Sequence, residues 1–120
     1  MLSLGQSAEI RRVFDVADMR DFERLSGAQA GVHVPEPLIA ALFSQLLGMQ
    51  LPGPGTQYLK QGLDFIAPAR PGETLTARVA ITRLRSDKRL VDLQAVCLGG
   101  DGRLICQGRA LVKAPTAKFS

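Results

Sequence analysis

Beyond residue 55 the chain alternates between apolar and polar positions, the period of a half-buried strand. In "ETLTARVAITRL" (73 to 84), Leu75, Ala77, Val79 and Ile81 fall on one face, and Thr74, Thr76, Arg78 and Thr82 on the other. Further on, Val91, Leu93, Ala95 and Cys97 form one apolar face, and Leu104, Cys106, Gly108, Ala110 and Val112 are placed to meet it across a hairpin turning at "GGDG" (99 to 102). Pairing Cys97 with Leu104 in that hairpin puts Cys106 opposite Ala95. "TQYLKQGLDFIAP" (56 to 68) reads as another strand, and "SAEIRRVFD" near the start as a weaker one. An antiparallel sheet with one dry face follows.

Two helices precede most of the sheet. "DVADMRDFERLSG" opens on Asp15 as N-cap with Asp18 three residues on, and spaces Val16, Met19, Phe22 and Leu25 along one side before Gly27 ends it. "PEPLIAALFSQLLG" carries prolines in its first turn, where a missing N–H costs nothing, and Gly48 is expected just past its end. Between Leu38 and Leu47 only Ser44 and Gln45 are polar, so this helix is expected inside the molecule. A central apolar helix wrapped by a curved antiparallel sheet is the α+β hot-dog architecture. Ala40, Ala41 and Gly108 supply small residues for close approach of helix and strands. Residues 1–120 read as a single domain with no repeat or linker, and 114–120 as a loosely held tail.

Composition narrows the function. A net charge of +4 is scattered rather than blocked. With one Tyr, five Phe and no Trp there is little for a base-stacking platform, so nucleic acid is not indicated. No apolar run approaches the ~20 residues that span a bilayer. The first residues lack the basic start and apolar stretch of a secretory signal, so the expected compartment is the cytoplasm. Cys97 and Cys106 do not have metal spacing and, with one histidine, cannot complete a four-ligand zinc site. They read as small buried hydrophobes rather than a disulfide, and neither a metal nor a cofactor is indicated.

The stretch "LFSQLLGMQLPGPGTQYLKQGLDFIAPARPGETLTARVAITRLRSDK" resembles the MaoC-like hot-dog family, and within it the short (R)-specific enoyl-CoA hydratases of polyhydroxyalkanoate synthesis. The resemblance runs from "FDVADMRDFERLSG" through "GRALVKAP". It implies a homodimer with acyl-CoA pockets near the interface, and reversible syn addition of water to a trans-2-enoyl thioester. It also implies a loop Ser-Gly-Asp-x-Asn-Pro-x-His after the first helix, whose Asp and His activate the water. A later His-Gly-Met opens the central helix, and there the glycine N–H holds the thioester oxygen.

At those points this chain departs from the pattern. After Ser26 and Gly27 the Asp position is Ala28, the Asn-Pro pair reads Ala30 and Gly31, and Pro35, Glu36 and Pro37 align with His-Gly-Met. His33 aligns either with the loop histidine, followed by a deletion, or with a residue just ahead of the helix, the whole loop being deleted. The second is preferred, because no Asp follows Gly27 to complete the pair that acid-base catalysis requires. "HVPEPLI" is similar to the His-x-Pro of beta-hydroxyacyl-ACP dehydratases, but Ala40, Ala41 and Leu42 stand where that family's helix acid is needed.

The leading expectation is a hydratase homologue that has lost hydration and binds an acyl-CoA or acyl-carrier thioester, or serves a regulatory or partner role. The alternative is an active thioesterase or atypical dehydratase using His33 and Glu36 as its catalytic residues. Pro35, Leu38 and Leu42 are candidates for the acyl-thioester pocket. Arg83, Arg85, Lys88 and Arg89 of "RLRSDKR" are candidates for CoA phosphates, with Arg70 and Lys60 as further cations. Ordinary roles compete with these: a polar histidine at a helix entrance, a glutamate favoured by the helix dipole, and a solvated basic turn.

Overall fold

The computed structural model covers residues 1–120. β1 (Ser7–Val13) leads into α1 (Val16–Ser26) and α2 (Glu36–Met49), and β2 (Gln57–Phe65), β3 (Thr74–Arg85), β4 (Leu90–Leu98) and β5 (Leu104–Lys113) follow. All strand pairs are antiparallel in one sheet of order β1-β3-β4-β5-β2, which leaves β1 and β2 at the edges. This is the α+β hot-dog arrangement, a curved sheet laid over a central helix. No helix is long and apolar enough to cross a membrane.

The alternation fixes which face is dry. Leu75, Ala77, Val79 and Ile81 of β3, Val91, Leu93, Ala95 and Cys97 of β4, and Cys106, Ala110 and Val112 of β5 are all buried. Against them α2 lays Ile39, Leu42, Phe43, Leu46 and Leu47. Burying a side chain of this size contributes about 1.5–3 kcal/mol, so the seam between α2 and the sheet is the main source of stability.

α1 begins as its sequence predicts. The Asp15 side chain accepts from the Asp18 N–H at 3.0 Å, Asp18 accepts in return from the Asp15 N–H at 2.9 Å, and Gly27 ends the helix in the left-handed region at φ 74°. Its apolar side is poorly covered, however. Of the four spaced residues only Met19 is buried, Phe22 is half-buried, and Val16 and Leu25 are exposed.

Three expectations need correction. Gly48 lies inside α2, not beyond it, because carbonyls near the helix end find N–H partners further along: Leu46 O accepts from Gln50 and Leu51, and Leu47 O from Gly53. α2 is not enclosed on every side: Pro37, Ala41, Ser44, Gln45 and Met49 are exposed, because the sheet wraps one side only. The β4–β5 register is shifted by two residues, with Cys97 opposite Cys106 and Ala95 opposite Gly108. An irregularity between Cys97 and Leu98 takes up one residue of that shift, and Cys97, Cys106, Ala95 and Ala110 stay on the dry face. Both thiols are free and buried. Contact with Cys106 and burial push the Cys97 thiol well above its ordinary range, which keeps it neutral.

In the tail, Ala114 is buried, Phe119 packs against the core, and the Leu2 N–H donates to Lys118 O at 2.8 Å.

Candidate functional site

The segment between α1 and α2 delivers His33 and Val34 to the start of the central helix. The Val34 N–H donates to Ala69 O at 2.9 Å and its side chain is buried, which pins this entrance to the segment that follows β2. Pro35 then caps α2 with extended backbone, and Glu36 stands in the first turn, where the helix dipole favours a negative charge by about 0.3–1 kcal/mol.

These residues wall a cavity of about 390 Å³, whose other side is Phe65, Ile66, Ala67, Pro68 and Ala69. Ile39 and Ala30 complete the lining. His33 and Glu36 are both exposed at its mouth, and neither side chain hydrogen-bonds within the protein. The cavity is therefore open to water, with one imidazole and one carboxylate at an otherwise apolar opening. No group of three or more His, Cys, Asp or Glu side chains is close enough together to hold a metal ion.

The predicted pocket residues divide between two places. Pro35 lines the cavity with His33 and Glu36, whereas Leu38 and Leu42 line a separate groove of similar size on the other flank of α2. That groove lies between α1, β1 and α2, with Phe14, Phe22 and Leu25 as its other apolar walls.

Arg83, Arg85, Lys88 and Arg89 line neither space. They stand around the 3₁₀ turn Ser86–Lys88, where Leu90 pairs with Lys113 and Lys113 pairs with Gln57 at the start of β2. The cavity borders the opposite end of β2. Arg85 is further engaged by Asp92 at 2.8 Å.

Sequence reading missed the group that holds the cavity's far rim. Arg103 donates to Pro68 O at 2.9 Å, to Glu73 at 2.8 Å and to Asp101 at 2.8 Å, while Glu73 also accepts from the N–H groups of Arg70 at 2.5 Å and Gly100 at 2.8 Å. Nothing local signals it, since Glu73 and Arg103 lie 30 positions apart. Burial works against the Glu73 charge, but the Arg70 and Gly100 N–H groups and Arg103 outweigh it and hold the carboxyl below its ordinary range. A carboxylate depressed on folding stabilises above the ordinary carboxylate range, and that stability is lost as pH falls through the lowered value. Glu73→Gln should therefore cost about 2 kcal/mol near neutral pH, with the gap from wild type closing in acid. Urea unfolding across pH checks this, and equal stability at neutral pH would contradict it.

The chain is 36% identical to an (R)-specific enoyl-CoA hydratase of Aeromonas caviae, over 95% of this chain and 96% of that protein. It is 34% identical to an (R)-specific enoyl-CoA hydratase of Rhodospirillum rubrum, over 92% of this chain and 87% of that protein. The chain belongs to the (R)-specific enoyl-CoA hydratase family. Among solved structures, the (R)-hydratase from A. caviae involved in PHA biosynthesis superposes with a TM-score of 0.89 at 36% identity, covering 95% of this chain and 98% of that one. No protein-family model matches the chain. The cavity at the head of α2 lies beside the central helix, and the ionisable side chains in its lining are His33 and Glu36.

Proposed function

We propose that this member of the hydratase family binds an acyl thioester at the cavity headed by α2 without hydrating it, in the cytoplasm, as a binding or regulatory protein. The observation that carries the reading is the segment from Gly27 to Pro35. It contains no carboxylate, and its only ionisable side chain, His33, has no partner. The Aeromonas alignment supports a deletion: it spans 129 residues, more than this whole chain of 120. Pro35, Ile39 and Phe65 offer apolar contact to an acyl group, and the Glu36 N–H in the first turn of α2, the one there that neither proline removes nor Pro35 O engages, can receive a thioester oxygen.

A homodimer paired through β2 belongs to the same reading. Antiparallel pairing turns the far end of the partner's sheet toward this cavity, so the docking of CoA phosphates on Arg83, Lys88 and Arg89 is assigned to the turn of the second copy. Arg85, held by Asp92, is the least available of the four.

The test is incubation of purified protein with a panel of acyl-CoAs and 2-enoyl-CoAs, with mass spectrometry scoring bound ligand and product together. Intact bound thioester and no 3-hydroxyacyl product is the expected result. Accumulating 3-hydroxyacyl-CoA would overturn it. A second reading, thioester hydrolysis, draws on one observation: His33 and Glu36 share a cavity mouth and both are unengaged. It would appear in the same assay as free acid and CoA, abolished by both His33→Ala and Glu36→Gln.

A further inference from the structure

Cys97 of β4 and Cys106 of β5 stand directly opposite one another on the dry face of the sheet, both buried and both free. The pair sits beside the closed end of the hairpin. There the Gly99 N–H donates to Arg103 O at 2.8 Å and the Gly100 N–H to Glu73 at 2.8 Å, which holds the two strands in this register. Directly opposed residues of an antiparallel pair have Cα atoms about 4.5 or 5.5 Å apart, and either value lies in the range that a disulfide spans. Their Cβ atoms, at about 4.5–5.5 Å, must close by up to about 1 Å for the bond to form. The irregularity between Cys97 and Leu98 interrupts the ladder beside the pair and gives β4 the freedom for that move.

Cys106 is also one strand away from the cavity at the head of α2. On its other side it pairs with Phe65, the last residue of β2, and Phe65 lines that cavity. Local opening at this strand end bares Cys106 toward the cavity. The neighbouring Ile105 O accepts from the N–H groups of Ile66 and Ala67 at 2.8 and 3.2 Å, so the cavity wall hangs on the stretch of β5 that carries Cys106. The two sulfurs are not equivalent. The Cys97 S–H, facing the Cys106 sulfur, holds the Cys106 thiol below its ordinary range against burial and the charge of Glu36, which makes Cys106 the nucleophile of the pair.

We propose that Cys97 and Cys106 form a reversible dithiol–disulfide site, oxidised by hydrogen peroxide that enters through the cavity. The Cys106 thiolate attacks one peroxide oxygen, the O–O bond breaks, and the hydroxide that leaves takes up the Cys106 proton as water, with Cys106 now a sulfenic acid. The Cys97 sulfur then attacks the Cys106 sulfur, the S–O bond breaks, and the departing hydroxide carries off the Cys97 proton as a second water. Two thiols and one peroxide thus give one disulfide and two waters. Drawing β5 toward β4 at this point pulls on the bonds from Ile66 and Ala67, so the state of the pair adjusts the wall facing His33. The Cβ separation that has to be closed leaves the bridge easily reduced by an added thiol.

The test is peroxide treatment of the folded protein, followed by quenching, unfolding, alkylation and mass spectrometry. The chain should lose the mass of two hydrogen atoms and take up no alkyl group, with the Cys97 and Cys106 peptides joined in the digest. Dithiothreitol should return both thiols, and hydrogen exchange at Ile66 and Ala67 should be faster in the bridged protein than in the reduced one. Cys97→Ser removes the resolving sulfur, so the same treatment should carry Cys106 on to sulfinic and sulfonic acids that dithiothreitol does not reverse. Two alkylated thiols in the wild type, or sulfinic and sulfonic acids there in place of the bridge, would overturn the site. A bridge that forms only in urea would do the same, since the folded pairing would then play no part. A bridge formed in the folded chain with unchanged exchange at Ile66 and Ala67 overturns the link to the cavity wall.

Discussion

Crotonyl-CoA mixed with the purified protein will remain unhydrated over the interval in which an intact relative consumes it, with the rate lower by about 10²–10⁴ or more. That is the contribution of a positioned acid-base group, and no carboxylate lies between Gly27 and Pro35 to work with His33. In the alignment that sets Pro35, Glu36 and Pro37 on the family's His-Gly-Met, Glu36 takes the glycine position at the head of α2. A carboxylate ~4 Å from a developing oxyanion would oppose it by about 4 kcal/mol at an effective dielectric near 20, which would cancel the roughly 3–4 kcal/mol of one oxyanion donor. The Glu36 side chain is exposed, however, so solvent screens much of that opposition. On the non-catalytic reading proposed above, the absent acid is then the larger effect and Glu36 the smaller. A graft of the family loop with its Asp and His, made with Glu36 retained and with Glu36→Gly, separates them. Slow hydration in the first graft and faster hydration in the second is expected. Full activity in the graft that keeps Glu36 would refute any electrostatic role, and activity in the unmodified chain would overturn the non-catalytic reading.

The second large effect is one of packing. A Cβ on Gly108 would lie 1.9 Å from the Gly62 carbonyl oxygen and 2.9 Å from the Leu63 Cα, both backbone atoms that no rotamer change can move. Gly108→Ala should force β2 away from β5 and destabilise the protein by about 3 kcal/mol or more. For a chain of this size that is a fall of about 10 °C in Tm. Gly100→Ala, where the nearest atoms to the new Cβ are at 3.7 Å, is the control and should change little. A Gly108→Ala variant that melts with wild type would show that β2 does not approach β5 this closely.

How much of this was legible in the sequence depends on how local each determinant is. The alternating apolar positions of β3, β4 and β5 and the capping box of α1 are written in adjacent residues, and the structure follows them. The β4–β5 register was not legible, because the turn is tied from outside by the Glu73 carboxylate on Gly100 and by Arg103. The end of α2 was misplaced for a related reason: its last carbonyls are satisfied by Leu51 and Gly53, beyond the apolar pattern. The division of the pocket residues was readable in principle. Leu38 and Leu42 are four apart and share one flank of α2, while Pro35, Glu36 and Ile39 fall on another. The open groove beside Leu25 follows only from tertiary packing.

The Arg103 cluster bears on how tightly the cavity can hold a guest. By joining Pro68, Glu73, Gly100 and Asp101 it fastens the rim segment to the β4–β5 hairpin, so the wall facing His33 is set in place before anything enters. Ordering a loose wall around a ligand subtracts from affinity, by about 0.5–1.5 kcal/mol for each long side chain that must be immobilised. Here that side of the cavity is preorganised, and the entropy lost on binding falls instead on the exposed His33 turn and on the flexible acyl chain. Selectivity among thioesters should then be governed by how well the chain's length and branching match a fixed wall rather than by how far the wall can adapt.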